Sequence, residues 1–105
     1  MVREDDIVKF ALGLEGVDER KLEGKDELRV FYRGENIMMI LEKATEPLRI
    51  EIRCDRKLGY TLQERYESVM QSRWLGKNGI EIICSGQLND EDVFDLVRHA
   101  YEMSA

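Results

Sequence analysis

The chain is short of the residues that most chemistry needs. Among its 105 residues there are one histidine, two cysteines, one proline and one tryptophan. With His99 as the only imidazole, no nucleophile–histidine–acid arrangement can be argued, and a zinc site needs more His or Cys than this chain offers. Cys54 and Cys84 form no C-x-x-C pair. Each falls on the apolar side of an expected strand, which fits a reduced core thiol; a disulfide or redox pair is the alternative. The glycines are scattered singly, so no phosphate-cradling loop follows a strand. No apolar run approaches the roughly 18 residues of a membrane span. The N-terminal Met1-Val2-Arg3-Glu4-Asp5-Asp6 lacks the basic and then apolar regions of a signal peptide. These shortages lead us to expect a cytoplasmic, non-enzymatic protein with no catalytic or metal-binding residues, no cofactor and no membrane partner.

What the chain has in quantity is charge. Charged residues make up 36% and hydrophobic residues 43%, with a net charge of −6. The charge is uneven. Residues 1–46 carry a net −4, residues 47–80 a net +3, and residues 81–105 a net −5. Acidic ends argue against indiscriminate nucleic-acid binding, which needs Lys and Arg to displace counterions. The middle segment is the one plausible anion-facing surface. A chain of this length is one domain, residues 1–105, and is long enough to bury a core without staples.

The clearest local pattern is Leu48-Arg49-Ile50-Glu51-Ile52-Arg53-Cys54. Strict alternation makes a half-buried antiparallel strand, with Leu48, Ile50, Ile52 and Cys54 on one face and Arg49, Glu51 and Arg53 on the other. Before it, Leu28–Arg33 reads as a strand and Ile37–Leu41 as a central strand apolar on both faces, so the three form a meander. Residues 3–14 read as a helix with Ile7, Phe10, Ala11 and Leu14 as its stripe. Residues 15–27 read as a charged loop, with a turn of helix around Asp18–Leu22 as the alternative. Asp55 is a candidate cap for a helix whose stripe is Leu58, Leu62, Tyr66 and Val69 or Met70; a Thr61-x-x-Glu64 capping box is the rival start. Ser72–Leu75 is a link or short strand, Gly76-Lys77-Asn78-Gly79 a hairpin turn, and Ile80–Cys84 the last clear strand. Asn89 or Asp90 caps a final helix to about Met103, with Val93, Leu96, Val97 and Ala100 inward. The order α-βββ-α-β(β)-α predicts an α+β two-layer sandwich, a mostly antiparallel sheet with helices on one face.

The polar sheet face supplies the candidate site. Arg49 and Arg53 share a face of one strand, and Arg29, Phe31 and Arg33 share a face of another. If both sets point outward, arginines lie beside an aromatic ring, a chemistry suited to phosphates and stacked bases. The competing reading pairs the same arginines with Glu51, Glu81 and neighbours on a solvated face. Arg73, Trp74 and Lys77 form a second candidate spot, where the tryptophan also fits a core or rim role.

Pro47–Asp55 (PLRIEIRCD), a following helix, Gly86-Gln87-Leu88-Asn89-Asp90-Glu91-Asp92 and His99-Ala100-Tyr101-Glu102-Met103 together resemble the MmcQ/YjbR-like family over roughly residues 30–103. The pattern there is a strand ending in K-C-D, a helix, a tryptophan region, G-x-L-x-D-(D/E), and a closing helix ending near S-Y-E-L. Arg53 stands here for the lysine and Ala100 for the serine, and Met70-Gln71-Ser72-Arg73-Trp74 carries fewer positive groups than the usual approach to the tryptophan. The resemblance implies a CyaY-like (frataxin-like) or secretion-chaperone-like two-layer fold, and a double-wing DNA-binding motif. On it, Arg49, Arg53, Arg73, Trp74 and Lys77 are the candidate nucleic-acid contacts. The alternative is an acidic protein-interaction or chaperone-like adaptor, dimeric through a sheet edge or the last helix.

Overall fold

The computed structural model describes residues 1–105. In chain order the elements are α1 (Glu4–Leu12), β1 (Val17–Arg20), β2 (Leu28–Arg33), β3 (Asn36–Glu42), β4 (Arg49–Arg53), α2 (Arg56–Arg65), β5 (Val69–Ser72), β6 (Gly76–Ile83) and α3 (Asp90–Met103). The alternating segment behaves as its pattern requires. Leu48, Ile50, Ile52 and Cys54 are buried in one large apolar cluster, while Arg49, Glu51 and Arg53 turn to the other face. β4 is an inner strand of a six-stranded sheet ordered β1-β2-β3-β4-β6-β5, and every neighbouring pair is antiparallel. Because β6 lies between β4 and β5, the crossover β4-α2-β5 is a split β-α-β unit.

All three helices lie on one face of this sheet. Ile7 and Ala11 from α1, and Val93, Leu96, Val97 and Ala100 from α3, join Phe31, Met39, Leu41, Ile50, Ile52, Ile80 and Ile82 in the main core. Leu58, Leu62 and Tyr66 bring α2 against the same core. Each aliphatic side chain buried this way contributes roughly 1.5–3 kcal/mol. The helix starts also follow the sequence. The Asp55 carboxylate accepts from Leu58 N–H at 3.1 Å, and the Asn89 side chain accepts from Asp92 N–H at 2.8 Å. Thr61, the rival start, lies inside α2 and donates back to the Lys57 carbonyl.

One local expectation gains its physical cause and three others change. β3 is apolar on both sides for a specific reason: its pairing with β2 jumps from Phe31↔Met39 to Tyr32↔Ile37, which leaves Met38 as an extra residue. The bulge sends both Met38 and Met39 into the main core, while Ile37 and Ile40 serve the opposite face. Residues 15–27 are not all loop, and Asp18–Leu22 is not helical. Val17–Arg20 pairs with β2 as an edge strand. α2 stops at Arg65, short of the predicted stripe, because Val69 and Met70 pair with Ile82 and Glu81 as β5. The hairpin turn is not Gly76–Gly79 either. The chain reverses at Arg73–Leu75, and Asn78-Gly79 runs inside β6.

Gly79 owes its place to close packing rather than to a turn. A Cβ there would stand 2.7 Å from Leu75 Cβ and 2.8 Å from the Ile52 carbonyl oxygen. Backbone on one side and a folded-over turn on the other leave little room to shift. Gly79→Ala is therefore expected to lower stability by about 1–3 kcal/mol in urea unfolding followed by circular dichroism. Parent-like stability would mean that the turn moves aside freely.

Candidate functional site

The face of the sheet away from the helices is half apolar and half charged. Towards β1, Leu28, Val30 and Ile40 form a small buried cluster, with Leu22, Tyr32 and Ile37 packed around it. Towards β5, Glu51 of β4 lies directly across from Glu81 of β6. Both are buried, at 4% and 1% exposure. Two carboxylates side by side repel, and burial removes the water that would screen them, so the pair needs compensating partners.

Those partners are arginines and the backbone of one turn. Arg49 Nη1 donates to Glu81 Oε2 at 3.1 Å. The Arg73 guanidinium reaches three acids: Nε lies 3.3 Å from Glu81 Oε1, and Nη2 lies 3.5 Å from both Glu51 Oε2 and Glu42 Oε2. The field of Glu81, aided by Glu51 and Glu42, holds the Arg73 proton more firmly than usual. Glu51 Oε1 accepts three further hydrogen bonds, from Ser72 Oγ at 2.6 Å, Arg73 N–H at 2.8 Å and Trp74 N–H at 3.1 Å. Ser72 Oγ in turn accepts from Leu75 N–H at 2.9 Å. One carboxylate thus fixes the β5–β6 turn over the sheet. This explains why the reversal is at Arg73–Leu75 rather than at the Asn-Gly pair.

The five residues singled out from the sequence meet different fates. Arg49 and Arg73 belong to the carboxylate network. Arg53 shares their face but donates its Nε–H to the Ile37 carbonyl at 2.8 Å. Trp74 is 45% exposed, with the Lys25 ammonium 5.1 Å from its ring centroid. Lys77 is exposed on β6 and forms no ion pair. The other proposed set, Arg29, Phe31 and Arg33, lies on the helix side. Phe31 is fully buried in the main core. Arg29 bridges Glu4 of α1 and Glu19 of β1, which raises its own pKa through the Glu19 hydrogen bond and lowers that of Glu19. Arg33 stacks on Tyr101 of α3 and donates to the Tyr101 carbonyl. Alternation alone leaves open which way a strand faces, and Phe31 sets it here.

Other candidates also find structural roles. His99 Nε2 accepts from the Asp55 backbone N–H at 3.2 Å, tying α3 to the start of α2. Cys54 and Cys84 are unbonded, buried thiols, and burial pushes each pKa up to about 11. The participants that sequence reasoning missed are Glu42 and Ser72. Glu42 ends β3 next to Arg49, and Ser72 precedes the turn, so only the folded-back turn brings them together.

No protein-family model matches the chain, and no curated protein matches it significantly. Solved structures share its fold, two of them as follows. Protein DR2400 of Deinococcus radiodurans, which carries the family-model domain DUF419, superposes with a TM-score of 0.84 at 22% identity, covering 94% of this chain and 75% of that one. A protein from Pseudomonas syringae superposes with a TM-score of 0.81 at 11% identity, covering 99% of this chain and 100% of its own. At these identities the likeness is one of fold.

Removing the Glu51 carboxylate isolates its role. Glu51→Ala leaves the Ser72 hydroxyl and two turn amides without their acceptor and frees one side of Arg73. A loss on the order of 3 kcal/mol is expected in urea unfolding, with a change in Trp74 emission before the main transition. A loss below about 1 kcal/mol, with unchanged emission, would show that the turn stands without it.

Proposed function

We propose that this protein is a non-catalytic, cytoplasmic binding domain of the MmcQ/YjbR-like kind, and that its partner is a protein rather than a nucleic acid. The fold shared with a DUF419-bearing protein supports the kind of domain. One observation carries the choice of partner: two of the three arginines of the sheet face are already neutralised within the chain. Arg49 is bound by Glu81, and Arg73 by Glu81, Glu51 and Glu42. A phosphate backbone gains affinity by exchanging its counterions for free Lys and Arg, and the exchange is weak where each guanidinium would first have to leave a carboxylate. The net charge of −6 works in the same direction. A second copy of the chain is one such protein partner.

The nucleic-acid reading keeps one supporting observation. Arg53 on the open face and the exposed Lys77 have no carboxylate partner. Fluorescence anisotropy with labelled single- and double-stranded DNA separates the two readings. No saturable binding is expected at physiological salt, and at most weak, salt-sensitive binding at low salt. Saturable binding at physiological salt that Arg53→Glu with Lys77→Glu abolishes would overturn the protein-partner reading.

A further inference from the structure

Four of the unpaired cations of this acidic chain are gathered at one end of the sheet. Arg53 closes β4, Arg56 and Lys57 open α2, and Lys77 lies near the start of β6. Asn78 ties these elements together. Its carbonyl accepts from Cys54 N–H at 2.9 Å, its side-chain oxygen accepts from Arg56 Nε–H at 3.2 Å, and the next residue, Gly79, pairs with Arg53. None of the four cations is in an ion pair, although the chain has 22 acidic residues. The one carboxylate in their midst, Asp55, is held by Leu58 N–H as the α2 cap. Tyr60, 49% exposed, lies one helical turn beyond Arg56 and so shares its side of α2.

Two further features give this arrangement direction. The first is a local cost. α1 opens with Glu4, Asp5 and Asp6 and α3 with Asp90, Glu91 and Asp92, each favoured by the helix dipole, whereas α2 opens with two cations that the dipole disfavours. A rule obeyed twice and broken once, at a cluster drawn from three elements, marks a place where stability has yielded to another demand. The second is polarity along β4. Glu4 and Glu46 line a cleft with Arg3 and Leu48 at the strand's beginning, and Asp90 pairs with the Met1 ammonium there. Carboxylates outnumber side-chain cations at one end, and four unpaired cations gather at the other.

We propose that this basic end, Arg53, Arg56, Lys57 and Lys77 with Tyr60, is the docking surface for an acidic segment of a protein partner; the inference rests on the protein-partner reading above. A peptide of six to eight residues spans about 20–27 Å when extended, enough to cover the patch. A longer polyanion would run on towards the acidic end and be repelled there. Electrostatic complementarity of this kind fixes the partner's orientation and speeds its encounter.

The test uses the full ¹⁵N-labelled chain, titrated at low salt with an octaglutamate peptide and, separately, with (dT)12. Octaglutamate is expected to shift the amides of Arg53, Arg56, Lys57, Tyr60 and Lys77, with the effect fading as salt rises. Arg56→Glu with Lys57→Glu is expected to weaken binding at least tenfold while leaving the melting temperature equal to or above the parent's, since it relieves the dipole. Should that variant fail to fold, Lys77→Glu provides the same comparison on β6. Peptide binding that ignores these substitutions, or shifts confined to another surface, would overturn the assignment. No shift with either probe would overturn the acidic-segment assignment and leave a protein partner as the function. Tighter binding of (dT)12 than of octaglutamate would overturn both.

Discussion

A buried pair of glutamates decides how the open half of this molecule is built. Glu51 and Glu81 face each other across two inner strands, where alternation puts them whether or not their charges agree. The chain resolves the conflict by bringing the β5–β6 turn back over the sheet, so that Arg73 lies between both acids and Glu51 holds the turn amides. Arg49 closes the network from β4. From this follow the position of the hairpin turn, the packing of Leu75 on Gly79, and the exposure of Trp74 beside Lys25. The same contacts take two arginines out of the surface that could meet an anion.

Most of the fold could be read from local signals strong enough to survive tertiary contact. The faultless alternation of Leu48–Cys54 set β4 and its buried face. The Asp55 cap fixed one helix start to the residue, and Asn89 or Asp90 placed the other to within one. What could not be read depended on contacts between distant segments. β1 contains one apolar residue, Val17, and its strand character comes from pairing with β2. Val69 and Met70 fit a helical stripe equally well until β6 claims them as an edge strand. An Asn-Gly pair is a strong local turn signal, and it lost to a carboxylate more than twenty residues away.

The candidate site was legible in its residue types and less so in their orientation. Arg49 and Arg53 share the open face as the alternation required, and Arg73 and Trp74 are brought onto it. Arg29, Phe31 and Arg33 went to the helix side because a fully buried phenylalanine sets the direction of β2. The positive middle segment, visible as a net +3 over residues 47–80, divides in three dimensions. Arg49 and Arg73 neutralise the sheet, Arg65 ends α2, and Arg53, Arg56, Lys57 and Lys77 remain free at the sheet's end. A count of charges along the chain shows the surplus; only the fold shows which part is available.

Hydrogen exchange at two amides tests the central structural claim most directly. Arg73 and Trp74 lie in an exposed turn, where backbone N–H groups ordinarily exchange at nearly the rate of an unfolded chain. If Glu51 accepts from both, native-state exchange followed by NMR should show them protected by on the order of a hundredfold or more, and Glu51→Gln should weaken that protection. Exchange of both amides at unfolded-chain rates would mean that the turn is not held, and that Arg73 is free to meet a ligand.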